Sequence, residues 1–430
     1  MPSAHPTESI DVQALRVGMF VHLDVGWMAH PFPRSAFRVA DERQLVTIRA
    51  LGLAHVRWCP ELSDVVTPSA ELADAATAWP APVAVDGVDG VDGEPVEVPR
   101  SVQARFEAAA VQSAEVLGLV AHRPAEAKEA GDRLVRSLLA SMPEGDLAMR
   151  AVERSATGDP AAAHGLNVAV VSLLMGRLFG FADEDLLDLG LGALLHDVGK
   201  LALPEKVRHV DEHTTPGEAR RYREHVDLGV AAARKLALPP AALAVVAQHH
   251  ESPDGAGFPA GLNADRIALG ARIVAIVDRF DNLCNPVRAE RALTPHEAVS
   301  LMFAEERRRF DASLLNAFIK MVGVYPPGSV VQLTDDRWAI VVSVHSSRPL
   351  KPTVRVFDPE SDRDDAPLLD LQRTGGLGIR RSLRPHALPA DAAAWLRPAA
   401  SASWYCEPVE AAAAAEVRQT SHDDAFQPAR

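Results

Sequence analysis

Five histidines in this 430-residue chain, His164, His196, His225, His249 and His250, fall on or at the ends of segments with helical apolar spacing. Two of them open adjacent pairs, His196 before Asp197 and His249 before His250. Neighbouring side chains on a helix diverge by about 100°. A His-Asp pair at a helix end can therefore reach two neighbouring cations, or one cation and the bridge between two. Asp278 lies in the otherwise apolar run 272–280, where an unpaired buried carboxylate is costly and a bound cation removes the cost. One buried histidine is most often a hydrogen-bonded core residue. Five imidazoles in this pattern, together with Asp197 and Asp278, favour a metal site. Such a mixed nitrogen and oxygen set suits Fe, Mn or Zn better than Ca or Mg, which prefer all-oxygen cages.

The histidine pair runs directly into His249-His250-Glu251-Ser252-Pro253-Asp254-Gly255-Ala256-Gly257-Phe258-Pro259-Ala260-Gly261-Leu262. Glycines at 255, 257 and 261 let a loop backbone approach a ligand closely or adopt positive φ. Phe258 offers a flat surface on which a base could stack. Alone, such a stretch reads as a Gly-Pro surface turn; placed after two metal-type histidines, it reads as the floor of a site. Lys200, four residues past His196, is a point charge suited to a phosphoryl oxygen. Its plainer reading is a cation favoured by a helix C-terminus.

The ordered set His196-Asp197-Val198-Gly199-Lys200, His225, His249-His250-Glu251 and Asp254-Gly255-Ala256-Gly257-Phe258-Pro259, continuing through Arg272-Ile273 to Asp278 and Asp281, resembles the HD-GYP family of the HD phosphohydrolase superfamily. The resemblance spans residues 150–322, and residues 10–66 resemble an N-terminal domain of unknown function that often precedes HD-GYP domains. It implies an all-helical domain with a dinuclear or trinuclear metal centre that hydrolyses cyclic di-GMP to linear pGpG and then GMP. By position it implies His164, His196, Asp197, His225, His249, His250 and Asp278 as metal ligands, with Asp197 bridging and Lys200 on the scissile phosphate. Asp254, Gly255, Gly257, Phe258 and Pro259 would contact substrate. Arg288 and Arg291 are weaker candidates for the phosphates or guanines, each also readable as a solvated loop charge. Two cations a few Å apart would lower the pKa of a bridging water and neutralise charge developing on the phosphate. Lys200 would stabilise the same charge from the protein side.

Three departures from the family pattern narrow the expectation. Gly-Phe-Pro replaces Gly-Tyr-Pro, which keeps the stacking face and loses one hydroxyl hydrogen bond, worth on the order of 1 kcal/mol. The position four before His164, a glutamate in trinuclear members, is Pro160, which cannot ligate. Two ions, Fe or Mn ahead of Zn, are therefore expected, with Asp159 as the nearest substitute carboxylate. After Asp281 the run Asn282-Leu283-Cys284-Asn285-Pro286-Val287-Arg288 departs from the family's Ala-Leu-Thr, and doubt about substrate choice belongs there. Cys284 reads as a small packing residue. The alternatives are a non-catalytic cyclic di-GMP receptor signalling through a partner, or a phosphohydrolase acting on a hybrid cyclic dinucleotide.

The elements that must position these residues are mainly helical from 101 to about 321, flanked by a small α/β unit and a β-rich module. In the N-terminal unit, residues 17–25 and 55–58 read as strands, with a helix from Asp41 to about Leu51. The expected organisation is an α/β domain at 1–80, an acidic Gly/Pro linker at 81–100, connecting helices at 101–149, the catalytic domain at 150–322, a β-rich module at 323–408 and a disordered tail at 409–430. The net charge of −14 disfavours DNA as a partner, since DNA rewards basic faces, so attraction for an anion must be local. Three dispersed cysteines fit a reducing compartment, and no signal core or membrane-spanning stretch stands out. A cytoplasmic location is expected, together with a regulatory protein partner for the N-terminal domain and a homodimer. Trp27, His30 and Trp58 read equally as core or contact residues.

Overall fold

A computed structural model describes residues 7–23, 36–39, 42–51, 53–63, 102–142, 147–153, 159–210, 213–345, 350–363, 366, 368–374, 376–399 and 402–408. The expected linker, the expected tail, Trp27 and His30 lie outside these residues. The chain divides into two units, one within the first hundred residues and one covering nearly all the rest.

The first unit is an antiparallel sheet of β1 (Glu8–Asp11), β2 (Phe20–His22), β3 (Ala36–Arg38) and, after helix α1 (Glu42–Ala50), β4 (His55–Cys59). Its strand order is β1-β4-β2-β3. In β4, Val56 and Trp58 face inward and His55 and Arg57 outward, the alternation a one-sided sheet requires. Trp58 is therefore a core residue, paired across the sheet with Val21 and buried as Leu45 and Ile48 are. The strand expected at 17–25 begins later, because Gly18 takes a φ of 91° in a turn that precedes it.

The second unit begins with α2 (Val102–Leu119) and α3 (Pro124–Ala140), followed by a strand, β5 (Leu147–Glu153). Helix α4 (Pro160–Leu178) starts where Asp159 accepts a hydrogen bond from the Ala161 backbone N–H and Pro160 takes a first-turn position. From Leu166 to Met175 it is buried on all sides, so it is the central helix of the unit. It is long and apolar enough to cross a membrane by composition alone, but 78% of its apolar window lies inside the protein. Around it stand α5 (Asp183–Leu195), α6 (Pro216–Lys235), α7 (Pro240–Gln248), α8 (Leu269–Cys284), α9 (Pro295–Ala304) and α10 (Ala312–Val322). Asp183, Glu184 and Asp185 fill the first turn of α5, favourable at the positive end of a helix, while Ala182 is its N-cap. Reciprocal capping boxes, Thr215 with Glu218 and Thr294 with Glu297, start α6 and α9.

The chain then forms β6 (Val330–Leu333), β7 (Trp338–His345), β8 (Thr353–Val356), β9 (Leu368–Asp370) and β10 (Ile379–Leu383), and after α11 (Ala390–Leu396) ends its described part in β11 (Ala402–Pro408). These strands are antiparallel, and β5 enters the same sheet between β7 and β11. The sheet thus takes a strand from ahead of α4, across residue 150. Trp404 of β11 packs on Phe280 of α8 with ring centroids 4.8 Å apart, and Phe280 meets Phe318 of α10 edge-on at 5.1 Å. All three rings are fully buried, and the Trp404 indole N–H donates to the Pro327 carbonyl at 3.3 Å. Truncation of Trp404 to alanine should cost about 3–5 kcal/mol, the usual loss for a buried large aromatic. Urea unfolding of that variant is expected to show a lowered midpoint, and a wild-type midpoint would refute this role.

Candidate metal centre

The site forms where the C-terminal end of α5 meets α4, α6, α7 and α8. His196 is the C-cap of α5 and Asp197 follows it, so the helix ends with an imidazole and a carboxylate aimed into the bundle. The turn that continues the chain, Val198–Ala202, lies against α6. A Cβ on Gly199 would collide with the His225 carbonyl oxygen and the Gly229 backbone, so only glycine permits this approach. On the other side, a Cβ on Gly165 of α4 would lie 2.7 Å from the Leu194 carbonyl oxygen.

Two clusters of potential ligands share Asp197. One joins His164, His196, Asp197 and Asp278; the other joins Asp197, His225, His249 and His250. Within each, one ligand atom per residue lies within 4.8 Å of every other. In the first cluster, His164 Nε2 stands 3.1 Å from Asp278 Oδ1, 3.2 Å from His196 Nε2 and 3.6 Å from Asp197 Oδ2. In the second, Asp197 Oδ1 stands 3.4 Å from His225 Nε2 and 3.7 Å from His249 Nε2. The two oxygens of one carboxylate therefore face different sets of imidazoles.

Each ring is held from behind. His196 Nδ1 donates to the Ala193 carbonyl at 2.7 Å, His225 Nδ1 to Tyr222 at 2.7 Å and His249 Nδ1 to Val246 at 3.0 Å. A proton on Nδ1 leaves the Nε2 lone pair directed into the site, the usual device for orienting a ligating histidine. His164 Nδ1 is 2.6 Å from Asp281 Oδ2, and Asp281 also accepts from Asn167 at 2.8 Å and Asn285 at 2.9 Å. Asn282 donates to Asp278 Oδ1 at 2.6 Å.

The donor set passes a direct test for metal binding. Among the described residues the buried Nε2 atoms of His225, His249 and His250 and the buried Oδ1 of Asp197 have no hydrogen-bond partner. Buried polar atoms are seldom left so, and four converging ones fit a cation. The protonation pattern agrees. Burial opposes charge on His164, yet its bonds to Asp278 and Asp281 prevail and lift it to about 9. Burial likewise opposes charge on His196, and Asp197 and Asp278 lift it to about 10. Positive charge is thus favoured between the two carboxylates. His225 is pushed down to about 4, chiefly by burial, and burial with neighbouring imidazoles carries His250 well below its ordinary value. These two rings are neutral, the form in which imidazole ligates. Burial disfavours ionised Asp197 and Asp278, but the surrounding cations hold both well below the usual carboxylate range.

Lys200 Nζ lies 2.5 Å from Asp197 Oδ2 and 5.2 Å from the Tyr222 ring centroid. Although burial opposes its charge, Asp197 raises its pKa above the ordinary value, so it stays cationic. After α7 the loop bearing Asp254, Gly255, Gly257, Phe258 and Pro259 is folded onto its own backbone. Glu251 accepts from the Ala260 and Leu262 N–H groups, both at 2.7 Å, and Gly257 is packed against the 250–252 backbone too closely for a Cβ. Gly255 adopts a φ of 77°. Asp254 is a turn residue, accepting from the Ala256 N–H at 3.0 Å. Phe258 stacks on His250 at 4.6 Å, and the Arg223 guanidinium lies 5.0 Å from its centroid. Its ring therefore already packs on a ligand candidate.

Phe258, Gly257, Lys200, Arg288 and Arg291 line one cavity with the clusters, about 1940 Å³ in volume. Asp159 lines it as well, but its carboxylate caps α4 and joins neither cluster. Cys284 is buried, and burial pushes its thiol well above the ordinary range, as befits a packing residue. Sequence reasoning did not single out Asn167, Tyr222, Arg223, Asn282 or Asn285, and it gave Asp281 no role. The available signal was helical spacing: Asn167 lies three residues after His164, Asn282 four after Asp278, and Asn285 four after Asp281.

Residues 134–314 match a family model described as the HD domain, and residues 7–145 match a domain of unknown function, DUF3391. Residues 134–314 thus carry the HD-domain match, with the match to the domain of unknown function ahead of it. Cyclic di-GMP phosphodiesterase PA4108 of Pseudomonas aeruginosa is 29% identical over 85% of this chain and 89% of its own length. The cyclic di-GMP phosphodiesterase response regulator RpfG of Xanthomonas campestris is 31% identical over 35% of this chain and 40% of its own. A 3'3'-cGAMP-specific phosphodiesterase of Vibrio cholerae is 30% identical over 37% of this chain and 31% of its own. Among solved structures, an HDG"Y"P protein from Bdellovibrio bacteriovorus aligns with a TM-score of 0.42 at 14% identity, over 73% of this chain and 98% of that one.

Among the described residues the Asp281 carboxylate hydrogen-bonds His164 and two asparagines and joins neither cluster, so its effect on a metal would pass through the His164 ring. Asp281→Asn should weaken binding of Mn by about 10- to 100-fold. Metal titration followed by calorimetry checks this; unaltered affinity would remove Asp281 from the site.

Proposed function

We propose that the chain is a metal-dependent phosphodiesterase that hydrolyses cyclic di-GMP to pGpG, GMP or both at a dinuclear centre. The observation that carries the reading is the carboxylate of Asp197, whose two oxygens face two separate sets of ligand atoms. His164, His196 and Asp278 would hold one ion, and His225, His249 and His250 the other. Fe or Mn suits this nitrogen-rich set best, with Zn next. Pro160, where a third site would need a carboxylate, favours two ions over three. Bound there, the ions would supply Lewis acidity that activates water and neutralises charge on the phosphate. The protein's own part is to position. Lys200, cationic and beside Asp197, would meet a phosphoryl oxygen. Phe258 and the backbone at Gly257, which line the cavity, would seat the base, with Asp254, Gly255 and Pro259, outside the lining, shaping the loop that carries them, and Arg288 and Arg291 would contact phosphate or guanine. The naming of PA4108 as a cyclic di-GMP phosphodiesterase, with a match over 89% of its length, supports this substrate.

A second reading, hydrolysis of the hybrid nucleotide 3'3'-cGAMP, is favoured by the Vibrio relative specific for it. Buried free thiols at Cys59 and Cys284 support a cytoplasmic setting. The domain ahead of the HD domain is the natural place for a regulatory protein partner, and we include a homodimer in the proposal.

Protein loaded with Mn or Fe should convert cyclic di-GMP to linear product faster than 3'3'-cGAMP, read by chromatography under competition. Asp197→Ala should abolish turnover, and Lys200→Met should lower kcat by about a hundredfold. Normal turnover in Asp197→Ala would sink the assignment. Phe258→Tyr restores one hydroxyl worth about 1 kcal/mol, so its KM should move by no more than about fivefold. A larger change would mean that the ring's stack on His250 had been broken.

A further inference from the structure

The cavity that holds the two clusters is also lined by Arg397, Pro398 and Ala399, which connect α11 to β11. Arg397 is the C-cap of α11 with φ 46° and ψ 61°, in the left-handed region. A Cβ disfavours that region, and glycine is the ordinary occupant of such a helix end. The next residue is Pro398, whose ring pushes the residue before it towards extended backbone. Arg397 therefore holds a conformation opposed both by its own side chain and by its neighbour. Its backbone N–H donates to the Ala393 carbonyl, a bond that glycine would make equally well. The turn alone does not account for arginine here. Strained residues of this kind persist where the surrounding packing holds them, and they gather at ligand sites. The packing is present on both sides. Ala392 and Leu396 of α11 are buried with Val330, Ile340 and Leu388, and β11 is anchored by Trp404.

Among the described residues the Arg397 guanidinium makes no hydrogen bond or ion pair, and the residue is exposed and lines the cavity. Other arginines of the lining are engaged: Arg279 and Arg309 pair with Glu306, and Arg223 lies over Phe258. In a chain with a net charge of −14, the cavity is lined by nine lysines and arginines against six aspartates and glutamates. Its volume, about 1940 Å³, exceeds the roughly 300–1,000 Å³ of an ordinary small-ligand pocket, leaving room beyond a single phosphodiester.

We infer that Arg397 is a substrate-binding residue whose guanidinium grips the phosphodiester of the cyclic dinucleotide that is not being cleaved. The C-terminal β module is then a wall of the substrate site. This rests on the cyclic dinucleotide reading given above. Guanidinium is the group suited to two-point contact with a phosphate, and the backbone fixed between α11 and β11 sets the point from which it reaches.

The test uses the full chain loaded with Mn, with cyclic di-GMP and bis(p-nitrophenyl) phosphate, which carries a single phosphodiester, as substrates. For Arg397→Gly and Arg397→Ala, the ratio of kcat/KM for cyclic di-GMP to that for the small diester should fall tenfold or more, chiefly through KM. Arg397→Lys should recover only part of the loss. Arg397→Gly should melt at or above the wild-type temperature, since it relieves the left-handed backbone, which separates lost binding from lost folding. An unchanged ratio in Arg397→Gly overturns the role of Arg397. Wild-type protein that cleaves the small diester and leaves cyclic di-GMP intact overturns the functional reading itself.

Discussion

One buried carboxylate sets the terms for the catalytic unit. Asp197 would take up a proton if it stood alone at this depth, because burial disfavours its charge. It stays ionised because Lys200 and His196 stand against it, with the other imidazoles around its second oxygen. Assembling that shell requires parts of five helices to converge on a volume a few Å across. The convergence is made possible by the missing side chains of Gly165 and Gly199, where one helix or turn lies directly on the backbone of the next. Motif residues between the ligand candidates thus do structural work for those candidates. Gly199 stands with Val198 between Asp197 and Lys200 in sequence, and in space it lets α6 bring His225 to the same carboxylate.

The same demand reaches the far side of α8. Asp278 and Asp281 are three residues apart and share the face towards the histidines, while Phe280 is turned away into the aromatic contact with Phe318 and Trp404. A helix that presents two carboxylates to the interior needs compensation elsewhere, and this apolar contact supplies it. Since Trp404 comes from the last described strand, the C-terminal sheet is a buttress of α8. Strand β5 ties the sheet to the start of the domain through β11 and β7.

The helical domain, its chemistry and the seven ligand candidates were legible because they rest on local signals: residue type, helical spacing and adjacent pairs. Strand β5 was not. Its sequence, Leu-Ala-Met-Arg-Ala-Val-Glu, is made mostly of good helix formers, and it is a strand because distant partners pair with it. The asparagines and Tyr222 behind the ligands were missed for a related reason. A polar residue one helical turn from a ligand is common, and only the tertiary fold decides whether it turns inwards. Phe258 was legible as a flat ring, but its stack on His250 depends on how Glu251 folds the loop back. Arg397 carried no local signal, since an arginine before a proline is ordinary until its backbone angles are seen.

Charge explains how an acidic protein can select a small anion. Screening limits the reach of surface charge to about 8–10 Å at physiological salt, so the overall charge of −14 acts mainly on molecules that must lie along the surface. A nucleic-acid polymer would have to do so and would be repelled. A cyclic dinucleotide is small enough to sit wholly inside the cavity, where basic side chains outnumber acidic ones. Two of those acids, Asp197 and Asp278, would be committed to metal ions, and a third, Glu251, is occupied by backbone N–H groups. The acidity of the exterior and the basicity of the cavity are therefore complementary. Together they make selection depend on the size of the anion as well as on its charge.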